Sequence, residues 1–483
     1  MGEFRFRLPK EWEPGPNQAK SIHVIGLDGI AAPCRVNVDD GILSIVRNQD
    51  DSGKVFIAFP FDDFGELTVG TGTLPESTEP YRLVVELARG TLNRLRNQIS
   101  IWQQGSLEID DTVTEQIVSA TRLLSEAIMQ EDQDLSDRDA RASLQISMAA
   151  TFNVSHQFGQ HVSRYRNTQQ DLPRFWLANS VSTNLEGPAD YSSPHFHLVR
   201  VKPEQADTAA KIDRKRMIVG PFLDASPGGM EPDVVGLDDF LARKDFILNR
   251  CRKAIRQLNP STSLLHVVSG LNGMGHRRLS YPQQTQLTSE MLNLIDESQV
   301  DVPMMVSFDY PFAERLATAV GGIHPLQIAD SLLRQGVNVN FVGLDVNLDY
   351  WPCGSVIRDP LQWIEMIDLW SQLGLPLIIN LRMPTGERME NPPKADGKEK
   401  GKGKSSAARI NEFRSDMSHQ QRLHFIEKII PVLIARPIVH GLVWTQWRDQ
   451  DDLRYPFGGL VGADGESKKV LDSIGTAISV MKS

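Results

Sequence analysis

The sequence predicts an α/β protein whose C-terminal part is a (β/α)8 TIM barrel, preceded by a small β-domain and a helical region. Three observations support this prediction: short apolar runs recur regularly after residue 170, helical segments separate most of them, and the pattern before residue 170 changes from strand-like to helical. The apolar runs are eight in number and cover residues 175–181, 196–201, 217–223, 264–271, 304–308, 341–348, 377–381 and 438–447. Helical segments cover residues 237–258, 281–297, 325–335 and 419–435, which gives the strand and helix alternation of this barrel.

One complete strand, helix and strand unit occupies residues 341–384. Its first run is rich in Val and Leu and ends in polar and aromatic residues, which is typical of a buried parallel strand that leads into a loop. Apolar residues then recur with helical spacing from Asp359, and Gly374 and Pro376 mark the end of the helix. A crossover of this kind joins neighbouring parallel strands, so the unit favours an α/β architecture.

The region before the barrel divides into two parts. Residues 1–78 contain short strands separated by Asp39-Asp40-Gly41 and Asp51-Ser52-Gly53, which predict antiparallel hairpins and a small β-domain. Residues 79–170 have helical periodicity over 83–104, over 112–129 and in a long run after Ser136, and they end in a polar linker. We therefore expect domain boundaries near residues 78 and 170, with the barrel over residues 171–483.

Composition excludes several classes of function. The net charge of −10 disfavours nucleic acid as a partner, because the strongly basic run at 394–404 is Gly-rich and predicts a disordered loop near 390–410. No apolar run approaches the roughly 20 residues that cross a bilayer, so no membrane partner is expected. The N-terminus lacks the apolar core of a signal peptide, and the three cysteines lie far apart, so a cytoplasmic location is expected.

The carboxyl ends of the predicted barrel strands carry polar and aromatic residues. Active sites of this fold lie at those ends, so we expect the residues there to line a site. Flat aromatic faces next to carboxylates and amides suit sugar rings, whose C–H faces stack while their hydroxyls need polar partners. The expected ligand is therefore a carbohydrate, bound by Asp224, Ser269, Asn272, Tyr310, Asn347, Tyr350, Trp351, Asn380, Arg382, Trp444, Gln446 and Arg448.

Several of these segments resemble the barrels of glycoside hydrolase family 10, the xylanase-like group, and in particular its divergent planctomycete-type members. The resemblance covers roughly residues 174–475. It is carried by LLHVVSG at 264–270, MVSFDY at 305–310, LGLPLII at 373–379, GLVW at 441–444 and GGLVGADGESKKVLDSI at 458–474. The helical stretch PYRLVVELARGTLNRLRNQ at 80–98 is similar to the N-terminal parts of the planctomycete proteins.

The resemblance implies a retaining glycosidase that acts on O-glycosidic bonds of polysaccharides or oligosaccharides. In such an enzyme one Glu at the end of strand four is the acid/base and a second Glu at the end of strand seven is the nucleophile. Alignment on the family pattern places Gly270 and Leu381 at these positions, and neither residue can transfer a proton or attack an anomeric carbon. The connection over 203–216 is also shorter than in the family.

Two hypotheses follow. In the first, Asp309 and Asp345, which end consecutive predicted strands, substitute for the two glutamates, with Asp224 as a third candidate. In the second, the protein is a noncatalytic pseudoenzyme that binds a glycan or a protein through Trp351, Trp444, Tyr310 and Arg382. His266 is expected to be a core histidine, and no metal-binding motif or cofactor fingerprint is present, so no metal and no cofactor is expected.

Overall fold

The computed structural model describes residues 2–27, 29–168, 175–182, 193, 195–212, 216–237, 239–271, 279–318, 322–386 and 411–479. Asn272 and the predicted basic loop near 390–410 lie outside the described residues. The described strands are β1 (Gly2–Arg7), β2 (His23–Gly26), β3 (Ala31–Ala32), β4 (Cys34–Asp39), β5 (Ile42–Arg47), β6 (Gly53–Phe61), β7 (Gly65–Gly70), β8 (Tyr81–Arg82), β9 (Trp176–Ser180), β10 (Leu198–Val201), β11 (Arg216–Val219), β12 (Leu223–Asp224), β13 (Thr262–Leu271), β14 (Met304–Asp309), β15 (Phe341–Asn347), β16 (Tyr350–Trp351), β17 (Leu377–Arg382), β18 (Glu412–Phe413) and β19 (Val439–Trp444). The described α-helices are α1 (Pro16–Ala19), α2 (Leu83–Gln104), α3 (Asp111–Met129), α4 (Gln133–Thr168), α5 (Ala206–Ile212), α6 (Pro232–Val235), α7 (Phe240–Arg256), α8 (Tyr281–Glu297), α9 (Pro325–Leu333), α10 (Pro360–Ser371), α11 (His419–Ala435) and α12 (Lys469–Ser479).

The N-terminal strands form two sheets of four strands, in the orders β4-β5-β1-β8 and β3-β2-β6-β7. The predicted hairpin at Asp40 and Gly41 joins β4 to β5, and both residues have the positive φ that tight hairpin turns require. The Ser52-Gly53 signal does not make a hairpin. Because β5 already pairs with β4 on one edge and β1 on the other, the next strand, β6, joins the second sheet.

Three long helices follow, of which α4 packs on α10 and α11 and α2 packs on α10, while α3 packs on α2 and α4. The described bounds of α2 coincide with the predicted run at 83–104, and α3 begins one residue before the predicted run. Phe152 of α4 stacks on Phe64, and Gly159 of α4 lies against Pro431 of α11, where even a Cβ would come within 3.1 Å of the proline ring. Within the described ranges, none of the helices has the combined length and apolar character that a bilayer crossing requires.

The predicted barrel is confirmed by the strand pairing. The parallel strands β9, β10, β11, β13, β14, β15, β17 and β19 form a closed ring, because β19 pairs with β9 through registers such as Gly441 with Trp176. The predicted strand at 217–223 is divided at Pro221, which has no N–H to give to a ladder, and its second part becomes β12 beside the end of β13. The predicted strand at 438–447 ends at Trp444.

Alternation along the strands builds the barrel interior in layers. Seven inward side chains form an apolar layer at one level: Ala178, Leu198, Ile218, Leu264, Met305, Ile378 and Val443. Two residues further along the strands, the inward positions become polar, for example Arg200, Ser307 and Asn380. Gly343 makes room for this polar layer, since a Cβ there would lie 2.4 Å from the Cβ of Ser307. The strands therefore carry a polar layer toward their carboxyl ends.

Buried polar contacts join the N-terminal sheets and α2 to the barrel. Asp359 caps α10 by accepting hydrogen bonds from the N–H groups of Leu361 and Gln362. It also forms a 2.5 Å ion pair with Arg94 of α2. Gln362 donates a 2.6 Å hydrogen bond to the carbonyl of Thr68 in β7. The first turn of α10 is therefore anchored to both N-terminal regions.

Candidate functional site

A cavity of about 370 Å³ opens at the carboxyl ends of the barrel strands. The chain segments after β12 and after β19 form part of its wall. Seven of the residues proposed from the sequence line it, namely Asp224, Ser269, Asp345, Asn347, Asn380, Arg382 and Gln446. The cavity is therefore where the sequence predicts a site, but the set of residues that surrounds it differs from the predicted one.

Asp345 is a carboxyl group of the cavity wall whose two oxygens are both hydrogen-bonded. Its Oδ2 accepts hydrogen bonds from Ser307 Oγ at 2.7 Å, from the Gly270 N–H at 2.8 Å and from Ser269 Oγ at 3.2 Å. Its Oδ1 accepts a 2.6 Å bond from Asn380 Nδ2. Burial raises the pKa of Asp345, and the donors on Ser307 and Asn380 counteract part of that rise. The carboxyl group is thus held rigidly by donors from three other strands.

His266 continues this hydrogen-bond chain below the cavity. Its Nε2 lies 2.8 Å from Ser307 Oγ, and burial lowers the pKa of the imidazole well below its usual value. Because Ser307 has a single hydroxyl hydrogen and gives it to Asp345, the neutral His266 must donate from Nε2. Both His266 and Ser307 are fully buried, so the two side chains position Asp345 and do not meet a ligand.

Asp309 pairs in register with Asp345 on the neighbouring strand but does not line the cavity. Only 1% of it is exposed, its Oδ1 accepts from the N–H of Tyr310, and its Oδ2 accepts no hydrogen bond in the described part of the chain. Burial, followed by the nearby Asp345, raises the pKa of Asp309 well above its usual value. Contrary to the expectation from the sequence, Asp309 and Asp345 do not open onto one cleft.

Two arginines in the wall of the cavity share the carboxylate of Asp452. Arg382 forms a 2.9 Å ion pair with Asp452 and lies 4.2 Å above the ring of Tyr455. Arg454 contacts Asp452 at 2.8 Å and Asp224 at 3.1 Å. Although burial alone raises the pKa of Asp452, the two guanidinium groups lower it well below its usual range. Asp224 and Asp452 are therefore both ion-paired with arginine.

Arg200 at the end of β10 is a further cation in the wall, and the sequence reasoning missed it. Its Nε donates to Ser180 Oγ at 2.8 Å and its Nη2 donates to the Thr445 carbonyl at 3.3 Å. Both partners are neutral. Burial, followed by the proximity of Arg382, lowers the pKa of Arg200 to about 10. Strand alternation could have revealed it, because Arg200 follows the inward Leu198 by two residues.

The aromatic residues proposed as flat faces are in the core. Trp444 is fully buried and its Nε1 donates to the Gly458 carbonyl, and Tyr350 is fully buried with its hydroxyl on the Pro456 carbonyl. Tyr310 is 1% exposed and packs under the guanidinium of Arg315. None of the three rings has a face to offer a ligand, which contradicts the expectation from the sequence.

Trp351 and Arg448 also lie outside the cavity wall. The ring of Trp351 is half-buried, and both Lys20 and Arg414 place their cationic groups over it, at 5.5 and 4.9 Å from its centroid. The backbone N–H of Arg448 donates to Asp451 in the loop after β19. Their proposed roles in binding thus find no support in the cavity geometry, whereas Tyr455, which the sequence reasoning overlooked, lines the cavity.

The two positions aligned with family glutamates present no side chain to the cavity. Gly270 has φ +65°, and a Cβ there would lie 2.6 Å from the Cβ of Ser226 and 2.7 Å from its nitrogen. Leu381 is fully buried in the main core, on the side of the strand that faces the helices. On β17 the inward positions are Asn380 and Arg382, so a strand-seven residue that reaches the mouth must be one of those two.

The structure thus defines a (β/α)8 barrel with a polar cavity at its mouth. No family model matches the chain, and no curated protein gives a significant match. Solved structures of xylanases do match. Xylanase 10B of Thermotoga maritima is 10% identical, covering 67% of this chain and 97% of its own with a TM-score of 0.44. The endo-1,4-beta-xylanase XylE of Penicillium canescens is 10% identical, with the same coverages and a TM-score of 0.45.

A third similar structure is the GH10 xylanase of Bispora sp. MEY-1 with xylobiose, which is 10% identical over 67% of this chain and 99% of its own, with a TM-score of 0.43. These proteins belong to the group of barrels that the sequence resembles. The barrel fold of this chain rests on the strand pairing described above. At this level of identity and superposition, the similarities assign neither an activity nor a ligand to this chain.

Proposed function

We propose that this protein binds a carbohydrate in the mouth cavity without hydrolysing it by the retaining mechanism of the barrels it resembles. The observation that supports binding is the mixture of fixed donors and acceptors around a cavity of about 370 Å³. Arg200 and Arg382 supply guanidinium donors. Asn380 and Gln446 contribute amide groups to the cavity wall. Sugar hydroxyls both donate and accept, so they suit such a wall.

The carboxyl groups argue against retaining chemistry. A retaining glycosidase needs two carboxyl groups about 5 to 5.5 Å apart on either side of the bond that is cleaved. Position 270 has no room for a side chain, and the inward position at 380 is an amide. Asp309 lies outside the cavity wall, so it cannot act as the second carboxyl group.

Calorimetric titration with xylobiose and with cellobiose tests the proposal. We expect measurable binding that weakens about tenfold in Asn380→Ala, because an amide that bonds both Asp345 and the ligand is lost. The matched control is Asn249→Ala, since Asn249 is exposed on α7, where its Oδ1 accepts a hydrogen bond from Arg252. Failure of the unsubstituted protein to bind any neutral or acidic saccharide would refute the proposal.

Hydrolysis by Asp345 and Asp224 is the second candidate, because these two carboxyl groups line the same cavity. Asp345 has the raised pKa of a general acid, while Asp224 is paired with Arg454. Release of nitrophenol from aryl glycosides, abolished in both Asp345→Asn and Asp224→Asn but preserved in Asp309→Asn, would establish this alternative. No release by the unsubstituted protein favours binding without hydrolysis.

A further inference from the structure

Of the four arginines that line the mouth cavity, three are paired with carboxylates. Arg382 contacts Asp452, Arg454 contacts Asp452 and Asp224, and Arg250 contacts Glu231. Within the described part of the chain, Arg200 has no carboxylate within 4 Å, and its hydrogen-bond acceptors are the neutral Ser180 and Thr445. The cavity wall therefore contains one guanidinium group without a counter-charge.

Arg200 is buried, and burying a charge without a counter-charge is energetically unfavourable. Its side chain points into the barrel from β10, and burial lowers its pKa to about 10, so it stays charged at neutral pH. Asp345, Asp224 and Asp452 favour the charged form of Arg200, but none of the three forms an ion pair with it within the described residues. A cation in such a place is normally paired.

The geometry of the guanidinium indicates which edge is available. Nε is engaged by Ser180, and Nη2 uses one hydrogen on the Thr445 carbonyl at a long 3.3 Å. Nη1 makes no hydrogen bond within the described residues. Nη1 and Nη2 lie side by side in a plane, which is the arrangement that receives both oxygens of a carboxylate.

We propose that the carbohydrate bound in the mouth cavity is an acidic one, a saccharide that contains a uronic acid, and that its carboxylate pairs with Arg200. This inference rests on the proposed carbohydrate binding. The hydroxyls of the same sugar then meet Asn380 and Gln446. A carboxylate fits better than a phosphate, because a dianion would be repelled by Asp224 and Asp452, which line the same cavity.

The test compares cellobiose with cellobiouronic acid, which differs only in having a carboxylate in place of one hydroxymethyl group. Calorimetric titration of the unsubstituted protein should show binding of the acid at least about tenfold tighter than that of cellobiose, as expected for a charge-assisted bidentate pair. Arg200→Gln should abolish this preference while cellobiose binding changes little. Arg252→Gln is the matched control, because it removes the same charge from an exposed position on α7 and should keep the preference.

A second variant keeps the test informative if Arg200→Gln does not fold. Arg200→Lys keeps the charge without the planar fork, so it should retain a smaller preference for the acid. Equal affinity of the unsubstituted protein for both disaccharides would overturn the acidic-ligand inference and leave carbohydrate binding intact. If Arg200→Gln and Arg200→Lys both lose affinity for the two disaccharides to the same extent, Arg200 only shapes the cavity. That result would also overturn the acidic-ligand inference. No binding of either disaccharide would count against the proposed function itself.

Discussion

Replacing Gly270 by alanine tests whether the end of strand four can carry any side chain. Gly270 has φ +65°, and a left-handed conformation costs an L-residue about 1–2 kcal/mol. The added Cβ would also lie 2.6 Å from Ser226 Cβ and 2.8 Å from its Cα, and overpacking of this kind costs about 1–3 kcal/mol. We therefore expect Gly270→Ala to lower the free energy of unfolding by about 2–5 kcal/mol.

Urea denaturation followed by fluorescence measures this loss, and Gly336→Ala is the matched control. Gly336 has φ +76° with nothing within 4 Å of an added Cβ, so its substitution isolates the backbone strain at about 1–2 kcal/mol. Adding Ser226→Gly to Gly270→Ala should recover little, because the backbone nitrogen of Ser226 stays 2.7 Å away. Equal losses for the two alanine variants would refute the steric reasoning and reopen position 270 to a catalytic side chain.

Three further predictions concern the buried residues. Because the pKa of Asp309 is raised, the folded protein binds the proton of this carboxyl group more tightly than the unfolded chain does, and the resulting stabilisation is lost as the pH rises from about 4. The stability of Asp309→Asn relative to the unsubstituted protein should therefore increase with pH in urea titrations. A difference in stability that stays constant with pH would contradict the raised pKa. Trp444→Ala should cost about 3–5 kcal/mol in unfolding free energy, whereas Trp351→Ala should leave saccharide affinity unchanged in calorimetry, and a lost affinity would place Trp351 in the site. Arg94→Ala leaves the fully buried Asp359 without its cation and should lower the unfolding free energy by about 3–5 kcal/mol, while a loss below 1 kcal/mol would show that the pair does not fix the N-terminal regions to the barrel.

Much of the secondary structure could be predicted from the sequence. The bounds of α8 and α11 coincide with the predicted helices, because Ser280 and Ser418 provide sequence-local start signals and the apolar spacing between start and end is regular. The eight barrel strands lie at the predicted runs, since buried parallel strands are short and apolar on both faces. The division of the chain into three domains stays a prediction.

The site was predicted only in part. Asp345 and Asp309 lie near the carboxyl ends of adjacent strands and are indistinguishable as sequence signals, yet Asp345 lines the cavity and Asp309 is buried outside its wall. Trp444 is expected at the mouth because it precedes the polar residues near the end of its predicted strand, but an apolar run does not reveal which of its side chains point inward. Arg200 was overlooked, although strand alternation places it on the same face of β10 as the inward Leu198.

The sequence by itself determined the barrel and the capped helices, because apolar periodicity and cap residues are local properties. Only the tertiary structure decided which charges meet. Closure of the ring brings Arg382, Arg454, Asp224 and Asp452 together from segments far apart in the chain, and among the residues that the structure describes it gives Arg200 no ion-pair partner. Charge pairing depends on distances of a few ångströms between strands, and those distances are fixed only when the barrel closes.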